Sequence, residues 1–266
     1  VFTHYLITRF NIRVSGFGPE TMDSSAMDEG WLRERVKLFN TICVPSVIGQ
    51  RNTNFEWLIY MDPSTSLDEF AHLTESTFPV HFIFATDYED MIKDIRLRIV
   101  AAPSSFVITT RLDNDDVISS VFIETIQQSF QPRDKLIINL NAGYDYHSNI
   151  HLLTKWNRRY RNNFMSLVED KNADRLYTVY GFPHWKPPAE AEIVNIEGQP
   201  YWIYWRHGMN FSDQEKRGIP VFSKPDPKLF SYTVSSISIS WKNTLHYFAV
   251  WFPKMLKRRL SKIFTA

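Results

Sequence analysis

Three aspartates fall within four positions of the stretch FVITTRLDNDDVI (106–118): Asp113, Asp115 and Asp116. Carboxylates this close repel one another, more strongly where water is scarce. The segment therefore either faces solvent in a turn or holds something positive. If it is extended, Asp113 and Asp115 point to one side and Asp116 to the other. Two carboxylates on one side suit a hard cation, Mg2+ or Mn2+, with positions left open for phosphate oxygens. The plainer reading is an acid cluster in a turn, with Asp116 capping a helix over VISSVF. His207, in WRHGMN, is the second candidate. It ends an apolar strand and precedes Gly208 and Asn210, a turn signature that exposes the ring. A nitrogen beside two carboxylates favours Mn2+ over Ca2+; otherwise His207 is a hydrogen-bonded core residue. The spacing of His4, His72, His81, His147, His151 and His246 suggests no ligand role, and His184 in FPHWKPP is intermediate. Arg9, Arg96, Arg98 and Arg111 lie near the acids and either grip a diphosphate or balance the carboxylates.

These groups need a scaffold, and the pattern of the first 135 residues supplies one. FTHYLITRF reads as a strand, 15–29 as a loop, and WLRERVKLFNTICVPSVIGQ as a helix. That helix has an apolar stripe of Leu32, Val36, Phe39 and Cys43. Asp28 is placed to cap it, and Pro45 kinks or restarts it. FEWLIYMD, HFIFAT and FVITTRLDNDD read as strands; LDEFAHLTEST, YEDMIKDIRLRIVAA and VISSVFIETIQQSF read as helices. Such alternation argues for a mostly parallel sheet covered on both faces, an α/β fold. Ligands gather at the carboxyl ends of such strands, where Arg9 with Asn11, then Asp62, then the Asp113–Asp116 run all fall. Beyond residue 135 the regularity fades. KLIINLNAGYDYH reads as a strand entering a loop, RLYTVYG as a strand, PYWIYWRHGMN as a strand ending at His207, and 212–240 as loop or lid. This divides the chain into one domain over 1–240, with halves 1–135 and 136–240, and a distinct tail at 241–266.

Composition sets the outer bounds. Of the 266 residues, 44% are hydrophobic and 22% charged, which fits a folded globular chain. A formal net charge of +1 excludes a polyanion binder by overall charge. The single cysteine, Cys43, excludes an internal disulfide and fits a reducing, cytoplasmic setting. VFTHYLITRF is too short and too polar for a secretory signal, and no uncharged run is long enough to span a bilayer. The tail WKNTLHYFAVWFPKMLKRRLSKIFTA places Leu245, Phe248, Phe252, Leu256, Leu260 and Ile263 at helical spacing beside Lys254, Lys257, Arg258, Arg259 and Lys262. It is either an interfacial helix for an anionic membrane surface or a packed terminal helix with a solvated basic face.

The segments CVPSVIGQ, NFEWLIYMDPSTS, TTRLDNDD and WRHGMN together resemble the GT-A glycosyltransferases. In the order LITRFNI, WLRERVKLFNTICVPSVIGQ, FEWLIYMD, TRLDNDD, NNFMSLVE, FPHW and YWIYWRHGMN, the chain is similar to the rhamnosyltransferase family of bacterial polysaccharide synthesis over about residues 4–211. The resemblance implies a GT-A-like, Rossmann-type sheet whose first half binds a nucleoside-diphosphate sugar, dTDP- or UDP-linked, and whose second half binds a glycan or lipid-linked acceptor. It implies that Arg9 and Asn11 lie beside the nucleotide, with Arg96 and Arg111 on the diphosphate, and that Asp62 accepts from base or ribose. Asp113 would touch the ribose or a metal-bound water, while Asp115 and His207 hold Mn2+ or Mg2+. For an inverting transfer it implies a base, with Glu169 the first candidate and His184 the second. Trp156, Tyr180, Trp185, Trp202 and Trp205 are candidates to stack on sugars. The segment DYHSNIHLLTKWNRRYRNN departs from the pattern; its basic character suggests an anionic acceptor or a solvated surface helix. Two other classes compete: a Mg-dependent phosphoryl- or nucleotidyl-transfer enzyme, against which no glycine-rich phosphate loop appears, and a non-catalytic glycan-binding module.

Overall fold

The computed structural model describes residues 1–12, 29–157, 159–208, 218–231 and 233–264. Of the expected loop over 15–29, residues 15–28 with Asp28 lie outside the described residues, as do the Asn210 turn and residues 212–217, while Glu29 already begins a helix. Four strands rich in β-branched and aromatic residues run parallel: β1 (Phe2–Arg9), β2 (Glu56–Met61), β3 (Val80–Phe84) and β4 (Phe106–Arg111). Buried on both faces, they read as nearly continuous apolar runs. Along β1, Leu6 faces one core while Tyr5 and Ile7 face the other.

The helices that cover the sheet follow from local sequence. Helix α1 (Glu29–Leu38) widens into a π turn at Phe39–Cys43 and restarts as α2 (Val44–Ile48). A regular α-helix through Pro45 would lose an amide hydrogen bond and bring the ring against an earlier carbonyl; in this chain Pro45 sits in the first turn of α2. A 3-10 segment, Asp68–Glu75, stands where LDEFAHLTEST predicts a helix, with Phe70 and Leu73 turned inward. Helix α3 (Tyr88–Ala101) is capped by the Asp87 side chain, which accepts from the Asp90 amide at 2.9 Å. Its acidic first turn and Arg98 in the last suit the helix dipole. It packs Met91, Ile92, Ile95 and Ile99 on the face opposite α1 and α2.

The DND segment is followed not by a helix but by a short strand, β5 (Val117–Ile118); α4 begins only at Phe122 (Phe122–Gln128). Next come β6 (Leu136–Leu140), β7 (Gly143–His147), β8 (Leu152–Trp156), β9 (Ser166–Asp170), β10 (Glu192–Ile196), β11 (Trp202–Arg206) and β12 (Ile219–Pro220). The main sheet has the order β10-β6-β9-β4-β1-β2-β3, in which β9 alone runs antiparallel to its neighbours. A second sheet, β12-β8-β7-β11-β5, grows from the carboxyl side of β4. The fold is thus α/β with a mostly parallel covered sheet. RLYTVYG is not a strand: it folds as an irregular segment with Thr178 at φ 62. The basic stretch 145–163 is no surface helix either, since it supplies the end of β7 and all of β8.

Helix α5 (Pro227–Phe230) and helix α6 (Trp241–Phe264) complete the chain. Helix α6 docks on the body through Asn243, Thr244 and Tyr247: Asn243 Nδ2 donates to the Ile150 carbonyl at 2.7 Å, Thr244 is buried, and the Tyr247 hydroxyl lies 3.5 Å from the Gly218 carbonyl. Trp241, Leu245, Phe248 and Phe252, spaced along one helical face, stay 65%, 55%, 40% and 43% exposed. No helix among the described residues is long and apolar enough to cross a membrane.

Candidate active site

At the carboxyl ends of β1, β2 and β4 the chain builds a continuous polar floor. Asn11 Oδ1 accepts from the Asp62 amide at 3.0 Å, and its Nδ2 donates to Thr65 Oγ1 at 2.9 Å. Asp62 Oδ1 accepts from the amide and hydroxyl of Ser64 at 2.9 and 2.6 Å. Asn114 Nδ2 donates to the Phe10 carbonyl at 2.6 Å and ties the DND segment to the end of β1. Arg9 lies 5.9 Å from the centre of the Tyr88 ring, and the Tyr88 hydroxyl donates to the Tyr180 carbonyl. Asn11, Asp62, Arg9 and Arg111 are thus gathered at the strand ends.

The three acids do not alternate as an extended strand would place them. The Asp116 amide donates to the Asp113 carbonyl at 3.2 Å, closing a turn that sends each carboxylate a different way. Asp113 faces Arg111, whose Nη2 donates to both of its oxygens at 3.2 Å while the guanidinium packs 4.9 Å from the Tyr180 ring centre. Asp115 is buried; its Oδ2 meets Arg35 Nη1 at 2.5 Å and His207 Nε2 at 2.8 Å. Burial pushes the Asp115 carboxyl upward, but His207 and Arg35 outweigh it and hold it below the usual carboxylate range. Asp116 caps no helix. It accepts from the Trp205 amide at 3.0 Å and from Asn163 Nδ2 at 3.3 Å, and burial beside Asp115 and Asp113 pushes its carboxyl well up.

The meeting of Asp115 with His207 follows from strand register. β5 pairs antiparallel with β11, Val117 opposite Ile203 and Ile118 opposite Trp202. As β5 is followed backward, β11 runs forward, so the acids just before Val117 lie beside the residues just after Trp205. β7 lies on the other side of β11 and adds Asp145, which is buried and held by Arg159 Nη1 at 3.0 Å and Arg206 Nη2 at 3.2 Å.

Three expected participants lie elsewhere or change role. Glu169 lies on β9 opposite Val107, near the start of β4, whereas the site is at the end of β4. Its oxygens accept from the amides of Tyr177 at 2.5 Å and Thr178 at 3.0 Å, so it staples the irregular 176–182 segment to the sheet. Burial raises its carboxyl to about 7, against the pull of those two amides. Arg96, on α3, donates to the Leu176 carbonyl on that same far side. Asp113 does not complete a triad: among the described residues no three His, Cys, Asp or Glu side chains gather as a metal site.

Of the aromatics, Trp202 is buried against Phe164 with ring centres 5.0 Å apart, and Trp205 and Tyr180 are also core. Trp185 stays exposed and Trp156 partly so. His184 packs edge-on to Trp185 at 4.9 Å and lies close enough to Arg111, Asp113 and Arg159 to feel their charge. Burial, then Arg111, lowers its imidazole to about 4, and its Nδ1 is buried with no partner among the described residues.

The family described as "Putative rhamnosyl transferase" matches residues 3–219. The chain belongs to it. No curated protein sequence matches it. Among solved structures it is similar to TarS 1–349 of S. aureus at 12% identity and a TM-score of 0.44, covering 76% of this chain and 60% of that one. The complex of the same protein with UDP-GlcNAc aligns alike, over 80% and 62%. HddC of Yersinia pseudotuberculosis aligns at 9% identity and a TM-score of 0.36, over 73% and 89%. The chain thus spans about three-fifths of the length of the TarS 1–349 structures.

A divalent cation is the group the GT-A resemblance implies, and two side chains of this chain suit one. Asp115 Oδ2 and His207 Nε2 lie 2.8 Å apart. Neighbouring ligands of an octahedral Mg2+ or Mn2+, bound at about 2.1 Å, are separated by about 3 Å. One carboxylate and one imidazole also form the sparse protein set such ions accept when phosphate oxygens complete the shell. Arg35 meets the same oxygen and was not foreseen. Its one cue in sequence is an arginine next to the apolar stripe of α1.

Proposed function

We propose that this chain is a metal-dependent, inverting glycosyltransferase that moves a sugar, L-rhamnose by its family, from a dTDP- or UDP-linked donor to a glycan or lipid-linked glycan acceptor in surface polysaccharide synthesis. The observation that carries the reading is the pairing of Asp115 with His207 at the carboxyl ends of the parallel strands, beside Asn11, Asp62 and Arg111. Asn11 and Asp62 would present a hydrogen-bonding edge to base or ribose, with Arg9 flanking it and Asp113 toward the ribose.

Transfer breaks the bond between the sugar C1 and the diphosphate oxygen and forms a bond from C1 to the acceptor oxygen. The acceptor proton leaves to a base, and negative charge develops on the departing diphosphate. Mn2+ or Mg2+ held by Asp115 and His207 would supply Lewis-acid stabilisation of that charge. Arg111 adds a guanidinium that burial works to discharge but that the Asp113 carboxylate beside it keeps charged. His184 is the base, since its imidazole is held neutral near Arg111 and Asp113 and has a buried nitrogen with no partner among the described residues. The negative diphosphate raises its proton affinity as the donor binds.

An anionic membrane surface suits the tail. Beyond Asp226 the sequence carries Lys228, Lys242, Lys254, Lys257, Arg258, Arg259 and Lys262 and no acid. The exposed apolar face of α6 supports contact with lipid on the cytoplasmic side, which would bring the site to a lipid-linked acceptor.

Slow donor hydrolysis, screened with dTDP-, UDP- and GDP-sugars with and without Mn2+, tests the transfer. Hydrolysis is expected with at least one donor, dependent on metal and abolished by Asp115→Asn. Metal-independent hydrolysis that survives this substitution would refute the assignment.

A further inference from the structure

Asp115 already has a cation beside it. Arg35 Nη1 bridges Asp115 Oδ2 at 2.5 Å and Asn114 Oδ1 at 3.1 Å, while Oδ2 also meets His207 Nε2. Arg35 is only 4% exposed. The oxygen of Asp115 that lies beside His207, where a divalent ion would bridge the two side chains, is the one Arg35 holds, and a guanidinium and a dication repel each other when they share it. The other carboxylates of the cluster offer no such exchange. Asp113 is neutralised by Arg111, Asp145 by Arg159 and Arg206, and Asp116 accepts from the Trp205 amide and Asn163.

Arg35 also holds a contact that does not depend on Asp115. Its guanidinium lies 5.0 Å from the centre of the Trp31 ring, one turn earlier on α1. That cation–π contact keeps the charge near the site when the carboxylate is withdrawn. Immediately after α1 the helix widens into the π turn, a local loosening often found at functional sites.

We propose that Arg35 is an exchangeable counter-ion. It occupies Asp115 in the empty enzyme, yields that carboxylate to the divalent cation, and takes an oxygen of the donor's diphosphate. The proposal rests on the transferase reading and adds a diphosphate-recognising residue to it. It couples metal and donor binding, because the guanidinium that the metal displaces becomes available to the phosphate.

Isothermal titration of Mn2+ alone, then of UDP and uridine at saturating Mn2+, tests it on the wild type and Arg35→Met. Removing the competitor is expected to tighten Mn2+ binding about ten- to a hundredfold, the scale of one charge-assisted hydrogen bond. UDP is expected to bind more weakly by a similar factor, with uridine unchanged. Equal or weaker Mn2+ binding in a folded Arg35→Met variant overturns the proposal, as does parallel weakening of UDP and uridine. If Arg35→Met does not fold, Arg35→Lys keeps the charge but loses the fork. UDP affinity should then fall and uridine affinity hold; no fall overturns the proposal. A wild type that binds Mn2+ but no nucleoside diphosphate refutes the transferase reading, while the Mn2+ titrations still decide the competition.

Discussion

Substituting Glu169 with Gln separates a structural carboxyl from a catalytic one. In the folded chain its carboxyl is raised to about 7, against 4.5 for the unconstrained group, chiefly by burial. Between pH 4.5 and 7 the folded state therefore keeps a proton that the unfolded state has lost, so stability falls as pH rises through that window and levels off above it. A gap of about 2.5 units at 1.36 kcal/mol per unit makes the loss about 3 kcal/mol. Glutamine keeps an oxygen for one of the two amides, Tyr177 or Thr178, and removes the titration. Urea unfolding at pH 4.5 and pH 8 should show the wild type losing about 3 kcal/mol more stability than Glu169→Gln across that range. Asp115 and Asp116 titrate in both proteins, so their contributions cancel in the comparison. Donor hydrolysis should persist in the variant, because Glu169 lies at the other end of β4 from Asp115 and His207. Parallel stability profiles, or loss of transfer in a variant that folds and binds nucleotide normally, would refute the reasoning.

His184→Gln should lower kcat by about 10²- to 10⁴-fold, the usual worth of a general base, with little change in nucleotide affinity; an unchanged kcat would remove the base assignment. In the wild type kcat/KM should be flat from pH 5.5 to 7.5 as far as this group is concerned, because its free-enzyme value lies near 4. The double substitution Phe248→Glu with Phe252→Glu, on the exposed face of α6, should abolish co-flotation with vesicles containing phosphatidylserine and leave the Tm unchanged. A lowered Tm, or equal binding to purely zwitterionic vesicles, would count against a lipid-facing helix.

Much of the main sheet is legible because β1 to β4 and β6 announce themselves locally, whereas β10 (Glu192–Ile196), parallel to β6, does not. β1, β2 and β4 are short apolar runs that end in polar residues, and a covered parallel sheet requires such runs. The errors share a cause. VISSVF has apolar spacing that fits a helix, yet Val117 and Ile118 become a strand because β11 offers them an edge some 85 positions later. RLYTVYG alternates like a strand, yet the main chain of Tyr177 and Thr178 is claimed by the buried carboxylate of Glu169. In each case a long-range partner overrides a local pattern that was itself sound.

The same logic explains which parts of the site were readable. Asp115 and His207 were recognisable as residue types at strand ends, and β5 and β11 deliver both to one point. Asp113 was misplaced because alternation holds only for extended chain, and the hydrogen bond from the Asp116 amide to the Asp113 carbonyl turns the segment at that step. Once the turn forms, each acid must find its own compensation: Arg111 for Asp113, Arg35 and His207 for Asp115, neutral donors and a raised proton affinity for Asp116. Neutral donors leave Asp116 the acid least able to ionise, and the short pairing of Arg111 with Asp113 lies within β4 and its own turn. Of the three acids of the turn, Asp115 draws its counter-charges from two distant elements, α1 and the end of β11. On the counter-ion proposal it is therefore the carboxylate whose partners would part to admit a cation without unfolding the turn that holds it.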